Sequence, residues 1–303
     1  HRLISEAMKI TRGLLPSLLL ASTIVVSSCS AGSTAYQQPP AVDQSSIVIA
    51  TTAAAASLDF TNAAGAAIPQ AMMSNIYEGL VRIDAEGEIQ PLLAKSWDIS
   101  DDRTEYIFHL REGVLFSNGD PFNADSAKFS IDRVKTDWTN GLKRGMDVVE
   151  STEVIDDHTL KVSLVRPSNQ WLWSMGTAIG AMMTEGGVDK LATDPVGTGP
   201  YTVTHWAPGR AIGFGARADY WGQMPLNDAA TIRYFSDATA STNALQSGDV
   251  DVIWAMQAPE QLATLQEYTV EVGTTNGEML LSMNNQRAPF DDVRVRQAVM
   301  FAI

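Results

Sequence analysis

The chain has 303 residues, 45% hydrophobic and 18% charged, a balance that excludes a disordered chain or a low-complexity fibre. Acidic residues outnumber basic ones 35 to 21, for a formal charge of −14, which argues against a nucleic-acid partner, because phosphate neutralisation needs a basic surface. A single cysteine, Cys29, excludes an internal disulfide and a cysteine-built zinc cluster.

The first segment explains the cysteine. Met8-Lys9-Ile10-Thr11-Arg12 is a basic start, and residues 13–26 carry no charge and are dominated by leucine, isoleucine and valine. The run is short of the roughly 20 residues a bilayer span needs, so it reads as an export signal. Its exit, Val26-Ser27-Ser28-Cys29, resembles a bacterial lipobox, in which cleavage precedes the cysteine and the cysteine is lipidated. Residues 1–28 are therefore expected to be a lipoprotein signal peptide, and Cys29 the lipidation site. Residues 29–44, small, polar and ending near Pro39-Pro40, read as a flexible tether. Removing residues 1–28, which carry Arg2, Lys9 and Arg12 against Glu6, takes the charge from −14 to −16. So acidic a body reaches a membrane only through its lipid.

Along the folded part, Ile47-Val48-Ile49 predicts a buried strand. Ile68, Met72, Asn75/Ile76 and Gly79/Leu80 recur at helical spacing, with Pro69 in the first turn. Tyr106, Phe108 and Leu110 alternate with Ile107, His109 and Arg111 as a half-buried strand, and Asn118-Gly119 marks a turn. Ala127, Ile131 and Val134 predict a helix after Asn123, and Leu160, Val162 and Leu164 a strand after the turn at Asp156-Asp157-His158. Residues 231–235 predict a strand and residues 237–248 a helix stopped by Gly248. Val250, Val252 and Trp254 alternate with Asp249, Asp251 and Ile253, which predicts a strand with the first three facing inward. Asp292 starts a last helix. Interspersed strands and helices give a mixed α/β (α+β) fold class.

Catalytic patterns are missing from this sequence. The four histidines lie outside any metal-ligand spacing, and neither a Gly-x-Ser-x-Gly elbow nor a phosphate loop occurs. The stretch from Gly213 to Ala218 matches a loose Gly-x-Gly-x-x-Ala pattern, but Asp219-Tyr220-Trp221-Gly222 follows where a dinucleotide site needs a helix. Asp249 and Asp251 could share a strand face as a metal pair, and read more simply as polar residues facing solvent. Trp171-Leu172-Trp173 and Trp254-Ala255-Met256-Gln257 combine aromatic faces with polar neighbours, as a cleft for an organic solute requires.

Several longer motifs follow one another in order. Asn75-Ile76-Tyr77-Glu78-Gly79-Leu80-Val81, Pro91-Leu92-Leu93-Ala94-Lys95-Ser96-Trp97, residues 106–116 and Asn118-Gly119-x-Pro121-Phe122 lie in the first half. Pro195-Val196-Gly197-Thr198-Gly199-Pro200-Tyr201, Asp219-Tyr220-Trp221, Ser247-Gly248-Asp249-Val250-Asp251 and residues 289–298 lie in the second. Together they resemble solute-binding protein family 5, the oligopeptide, dipeptide and nickel receptors of ABC importers. The sequence departs from that pattern at Phe60, where a proline commonly follows the aspartate, and at Ser126-Ala127, where an acidic residue and a valine are usual.

The resemblance implies a two-lobed periplasmic-binding-protein-like fold. Lobe I is expected at residues 45–75 and 190–258, an inserted subdomain at 76–189, and the start of lobe II at 259–303. Similar proteins continue past this point, so the second lobe is expected to be incomplete and residues 1–303 to fold poorly alone. The implied function is capture of a small solute, an oligopeptide or dipeptide first, for delivery to ABC permease subunits. The receptor is expected to be a monomer, without cofactor or metal, exported and lipid-anchored in the periplasm or at the outer face of the cell membrane. By similarity, Ala54, Ala55 and Ala56 lie at the cleft floor, Trp173, Trp254, Met256 and Gln257 near its mouth, and Asn284 at the crossing into lobe II. The rival readings are an exported cell-envelope lipoprotein enzyme such as a hydrolase, or a surface sensor, on the same scaffold.

Overall fold

A computed structural model describes residues 45–63, 65–273 and 281–302, which fall in one compact unit. The expected signal peptide, tether and lipidation site at Cys29 lie outside the described residues. In chain order the elements are β1 (Ser46–Thr51), α1 (Ala67–Met72), β2 (Val81–Ile83), β3 (Ile89–Pro91), β4 (Ala94–Ile99) and β5 (Glu105–Leu110). There follow α2 (Ala124–Thr136), β6 (Val149–Asp156), β7 (Thr159–Leu164), α3 (Trp171–Ser174), β8 (Tyr201–Ala207) and β9 (Ala211–Ala216). The last are β10 (Ala229–Tyr234), α4 (Ala238–Ser247), β11 (Val252–Ile253) and α5 (Val293–Ala302).

Two main sheets organise these elements. One has the order β11-β1-β10-β9-β8, the other β4-β5-β7-β6, and β2-β3 form a small ribbon. In the five-stranded sheet β1 runs parallel to both β10 and β11, whereas β8, β9 and β10 form an antiparallel meander. The four-stranded sheet is antiparallel throughout. Its alternation follows the sequence: Tyr106, Phe108, Leu110, Leu160, Val162 and Leu164 are all buried. One large apolar core joins these residues to Phe60, Tyr77, Trp138, Trp171, Ile212, Phe214 and Ile232. A smaller core of Ala50, Ala244, Leu245, Val250 and Leu265 holds α4 against β1.

The caps explain where the helices start. Asn123 accepts the Ser126 backbone N–H at 3.0 Å while the Ser126 hydroxyl accepts the Asn123 N–H at 3.0 Å. A serine thus completes the reciprocal capping box in which an acidic residue is more usual. Asp237 caps α4 by accepting from the Ala240 N–H at 2.8 Å, and Gly248 ends it at φ 79°, where a side chain would be strained.

Two expectations fail locally. The helix predicted from Ile68 toward Leu80 stops at Met72: Met73 is extended, Ser74 sits at φ 64°, and the Ser74 N–H turns back to the Tyr77 carbonyl at 2.7 Å. The alternation at 250–254 also breaks. Val250 is buried, but Val252 is 40% and Trp254 46% exposed, while Ile253 packs on the smaller core. The cause is a contact with β1: the Asp251 carboxylate accepts the Val48 N–H at 2.7 Å, and between the Asp251 N–H bond to Val48 and the Trp254 N–H bond to Ala50 three residues of this strand span two of β1. One extra residue enters the alternation, as in a bulge, and the side chains after it change face.

Candidate functional site

The carboxyl ends of three neighbouring strands lie at one end of the five-stranded sheet. The chain leaves β10, passes through α4 and returns as β11 on the opposite side of β1. Open α/β sheets hold ligands outside the carboxyl ends of their strands. Three segments emerge there: residues 52–56 after β1, 235–237 after β10, and 254–257 after β11.

Backbone bonds tie the three together. The Phe235 N–H donates to the Thr51 carbonyl and the Trp254 N–H to the Ala50 carbonyl, each at 2.9 Å. Ala54 and Ala56 are exposed and Ala55 is buried, so the segment after β1 presents small side chains and open backbone. Trp254 stands 46% exposed at the end of β11. Ala255 follows at φ 56°, a left-handed conformation that costs a residue with a Cβ about 1–2 kcal/mol. Gln257 closes the turn by donating from Nε2 to the Ala255 carbonyl at 2.9 Å, and Met256 packs half-buried on the smaller core. The Tyr234 hydroxyl is buried at the same strand end, and burial pushes its pKa up.

The other expected site residues have different neighbourhoods. Trp173 is 42% exposed on α3, which packs against the 3-10 turns Gly141–Met146 and Ala178–Gly180, beside the four-stranded sheet. Asn284 is exposed on the rim of a depression of about 360 Å³ formed by Leu281, Met283, Phe290 and Val299. Of the expected set, Ala54, Ala55 and Ala56 follow β1, and Trp254, Met256 and Gln257 follow its parallel neighbour β11. The two tempting carboxylates serve the backbone and a turn: Asp251 bonds Val48, and Asp249 accepts from the Ser247 hydroxyl at 3.1 Å. Gly213 and Gly215 lie within β9, paired to both neighbours, and no helix follows them.

A second polar centre was not singled out from sequence as a site. Glu78 is 3% exposed, and its carboxylate accepts from the Thr198 hydroxyl at 2.8 Å, the Tyr220 hydroxyl at 2.7 Å and Trp221 Nε1 at 2.9 Å. Burial pushes its pKa up, and the three donors pull it back. Nearby, the buried Arg217 grips Asp219 with two 3.0 Å bonds and donates to the carbonyls of Gly197, Gly199 and Leu115. That guanidinium holds the Asp219 carboxyl below its ordinary range. Arg111 lies 4.9 Å over the Trp221 ring. Glycine is required in the loop: a Cβ on Gly197 would lie 1.9 Å from the Ile76 carbonyl oxygen. Three of the ordered sequence motifs, at 75–81, 195–201 and 219–221, are thus one hydrogen-bonded knot. The available clue was a lone acid, Glu78, inside an otherwise uncharged run.

Comparison with known proteins agrees with this architecture. Residues 88–303 match the family of bacterial extracellular solute-binding proteins, family 5 Middle. The chain belongs to that family. It is 32% identical over 251 residues to the glutathione-binding protein GsiB of Escherichia coli K12, a match covering 79% of this chain and 48% of that protein. Among solved structures it is similar to the ABC transporter-associated periplasmic binding protein DppA from Helicobacter pylori in complex with the peptide STSA. That match has 27% identity and a TM-score of 0.66, and covers 74% of this chain and 49% of the other. NikZ from Campylobacter jejuni in complex with Ni(L-His) gives 25% identity and a TM-score of 0.72, over 86% and 54%. The chain spans about half the length of the curated relatives it matches.

Proposed function

We propose that this chain is the solute-capturing part of an extracellular receptor that delivers a small solute to the permease of an ABC importer. Family membership supports the class, and the similar proteins named above bind glutathione, a peptide and a nickel–histidine complex. One observation supports carrying the reading to particular residues: β1, β10 and β11 run parallel side by side, with small-residue backbone following the first and an exposed tryptophan following the last. The open backbone at Ala54 and Ala56 suits pairing with an extended ligand as an added strand, and Trp254 suits an apolar side chain of that ligand. A short peptide is therefore the first solute to test. Trp173 and Asn284 would join the site from the inserted subdomain at 76–189 and from the segment beginning at 259, on closure around the ligand. Lobe I would comprise 45–75 and 190–258.

The reaction class is binding without bond-making. Capture energy shifts an open–closed equilibrium, and the closed form is what a permease would recognise. Cys29 would carry the lipid that keeps the receptor at the cell surface, with 29–44 as tether. Among the described residues no helix is long and apolar enough to cross a membrane.

The test is thermal-shift and calorimetric screening of the full-length protein against dipeptides, tripeptides, glutathione, nickel–histidine and sugars. Saturable stabilisation by one class supports the reading, because a ligand bound only to the folded state raises the melting temperature. Lack of response across the panel, or hydrolysis of a labelled peptide, would overturn it.

A further inference from the structure

Residues 258–268 follow the Trp254 turn and run back against α4. They open with the 3-10 turn Pro259–Thr264. Leu265, 3% exposed, joins Ala50, Ala244, Leu245 and Val250 in the smaller core, and Leu262 packs at its margin. Met256, inside the Trp254 turn, packs on that same core. The apolar contacts of the stretch are therefore with the core that holds α4 against β1.

Four side-chain bonds fasten the stretch to the helix. The Thr242 hydroxyl donates to Gln261 Oε1 at 2.8 Å, and Gln261 Nε2 donates to the Thr239 hydroxyl at 3.1 Å. Gln246 Nε2 donates to the Thr264 carbonyl at 3.4 Å, and the Tyr268 hydroxyl to the Leu245 carbonyl at 3.2 Å. Thr239, Thr242 and Gln246 are spaced three and then four residues apart, so they share one face of α4. Past Tyr268 this pattern stops. Residues 269–273 are exposed, Val272 by 91%, and belong to neither core. A segment that buries a leucine in one core and bonds along one helix face opens together with that core and helix.

We propose that residues 258–268 are a strap of the first lobe, and that Gln261 is a positioning residue that holds the Trp254 turn through it. The turn is then fixed at both ends, by the Trp254 N–H on the Ala50 carbonyl and by the strap that starts at Ala258. The connection that can flex toward the second lobe begins at Thr269 rather than at residue 259, where the resemblance puts it. Only the use of Trp254 to hold a solute rests on the capture reading.

Hydrogen exchange of the full-length protein, followed by mass spectrometry with no solute added, tests this. The expected result is that 258–268 exchanges with the urea dependence of α4 and at least about tenfold more slowly than 269–273. Gln261→Ala speeds exchange across 254–268 about tenfold and leaves the four-stranded sheet unchanged. Gln261→Glu, whose carboxylate can accept from both threonine hydroxyls, restores the slow exchange. Exchange of 258–268 at the rate of 269–273, or a Gln261→Ala variant in which 254–257 is unchanged, would overturn the proposal. Failure to bind any solute would overturn the capture reading and leave the strap standing.

Discussion

The Glu78 knot and the carboxyl ends of β1, β10 and β11 use polar groups in opposite ways. In the knot every carboxylate oxygen of Glu78 is occupied, the loop glycines admit no Cβ, and the arginine is spent on carbonyls and Asp219. At the ends of β1 and β11 a tryptophan is half exposed, alanines leave backbone open, and one residue is held in a left-handed turn. A buried, satisfied network rigidifies, whereas open backbone and a displayed ring retain capacity to bind. The contrast teaches that the motifs at 75–81, 195–201 and 219–221 build the frame, while in the proposed function selection of a solute would fall to plainer residues.

The largest expected effect breaks the frame. Gly197→Ala drives a methyl into the Ile76 carbonyl, and the cost should exceed about 4 kcal/mol, seen as insoluble or unfolded protein by circular dichroism. Glu78→Ala leaves the Thr198, Tyr220 and Trp221 donors without an acceptor, and about 3 kcal/mol should be lost in urea unfolding. Both changes should act on stability first, whereas changes at the strand ends should act on affinity first.

A smaller effect sharpens the comparison through pH. Burial raises the Glu78 carboxyl above its ordinary value of 4.5. Between that value and the raised one, the folded chain keeps a proton that the unfolded chain has released. Glu78 therefore contributes a stability that is full below the window and falls as pH rises through it. Asp219, lowered by Arg217, works the other way, its contribution disappearing as pH falls through the lowered value. Subtracting the urea stability of Glu78→Gln from that of the parent across pH 4–8 should give a difference that declines with rising pH. A flat difference would remove Glu78 as a titrating group. The smallest effect belongs to Ala255→Gly, which relieves the left-handed turn and should gain about 0.5 kcal/mol, with weaker solute binding as the turn under Trp254 loosens.

Legibility from sequence divides along the same line. The strands around Val48, Phe108, Val162 and Ile232, and the helices after Asn123 and Asp237, follow from alternation and caps, which are local signals. The helix toward Leu80 failed because Asn75, Ile76 and Leu80 satisfy helical spacing while Ser74 reverses the chain. The inward face expected for Val252 and Trp254 failed because a side-chain bond from Asp251 to Val48, 203 residues away, resets the register. Glu78 was visible as part of a motif, but its partners lie 120 to 143 residues distant, beyond any local pattern. The grouping of residues 54–56 with 254–257 comes from the resemblance, and the parallel pairing of β1 with β11 puts both segments at the same end of the sheet.

The claim that frame and site are separable is tested most directly by Trp254→Ala in the full-length protein, with solute affinity and urea stability measured on the same preparation. A side chain this exposed should cost less than about 0.5 kcal/mol of stability when removed, while loss of its ring should weaken binding of the captured solute about tenfold or more. Unchanged affinity, or a loss of affinity that only tracks a loss of stability, would contradict the account.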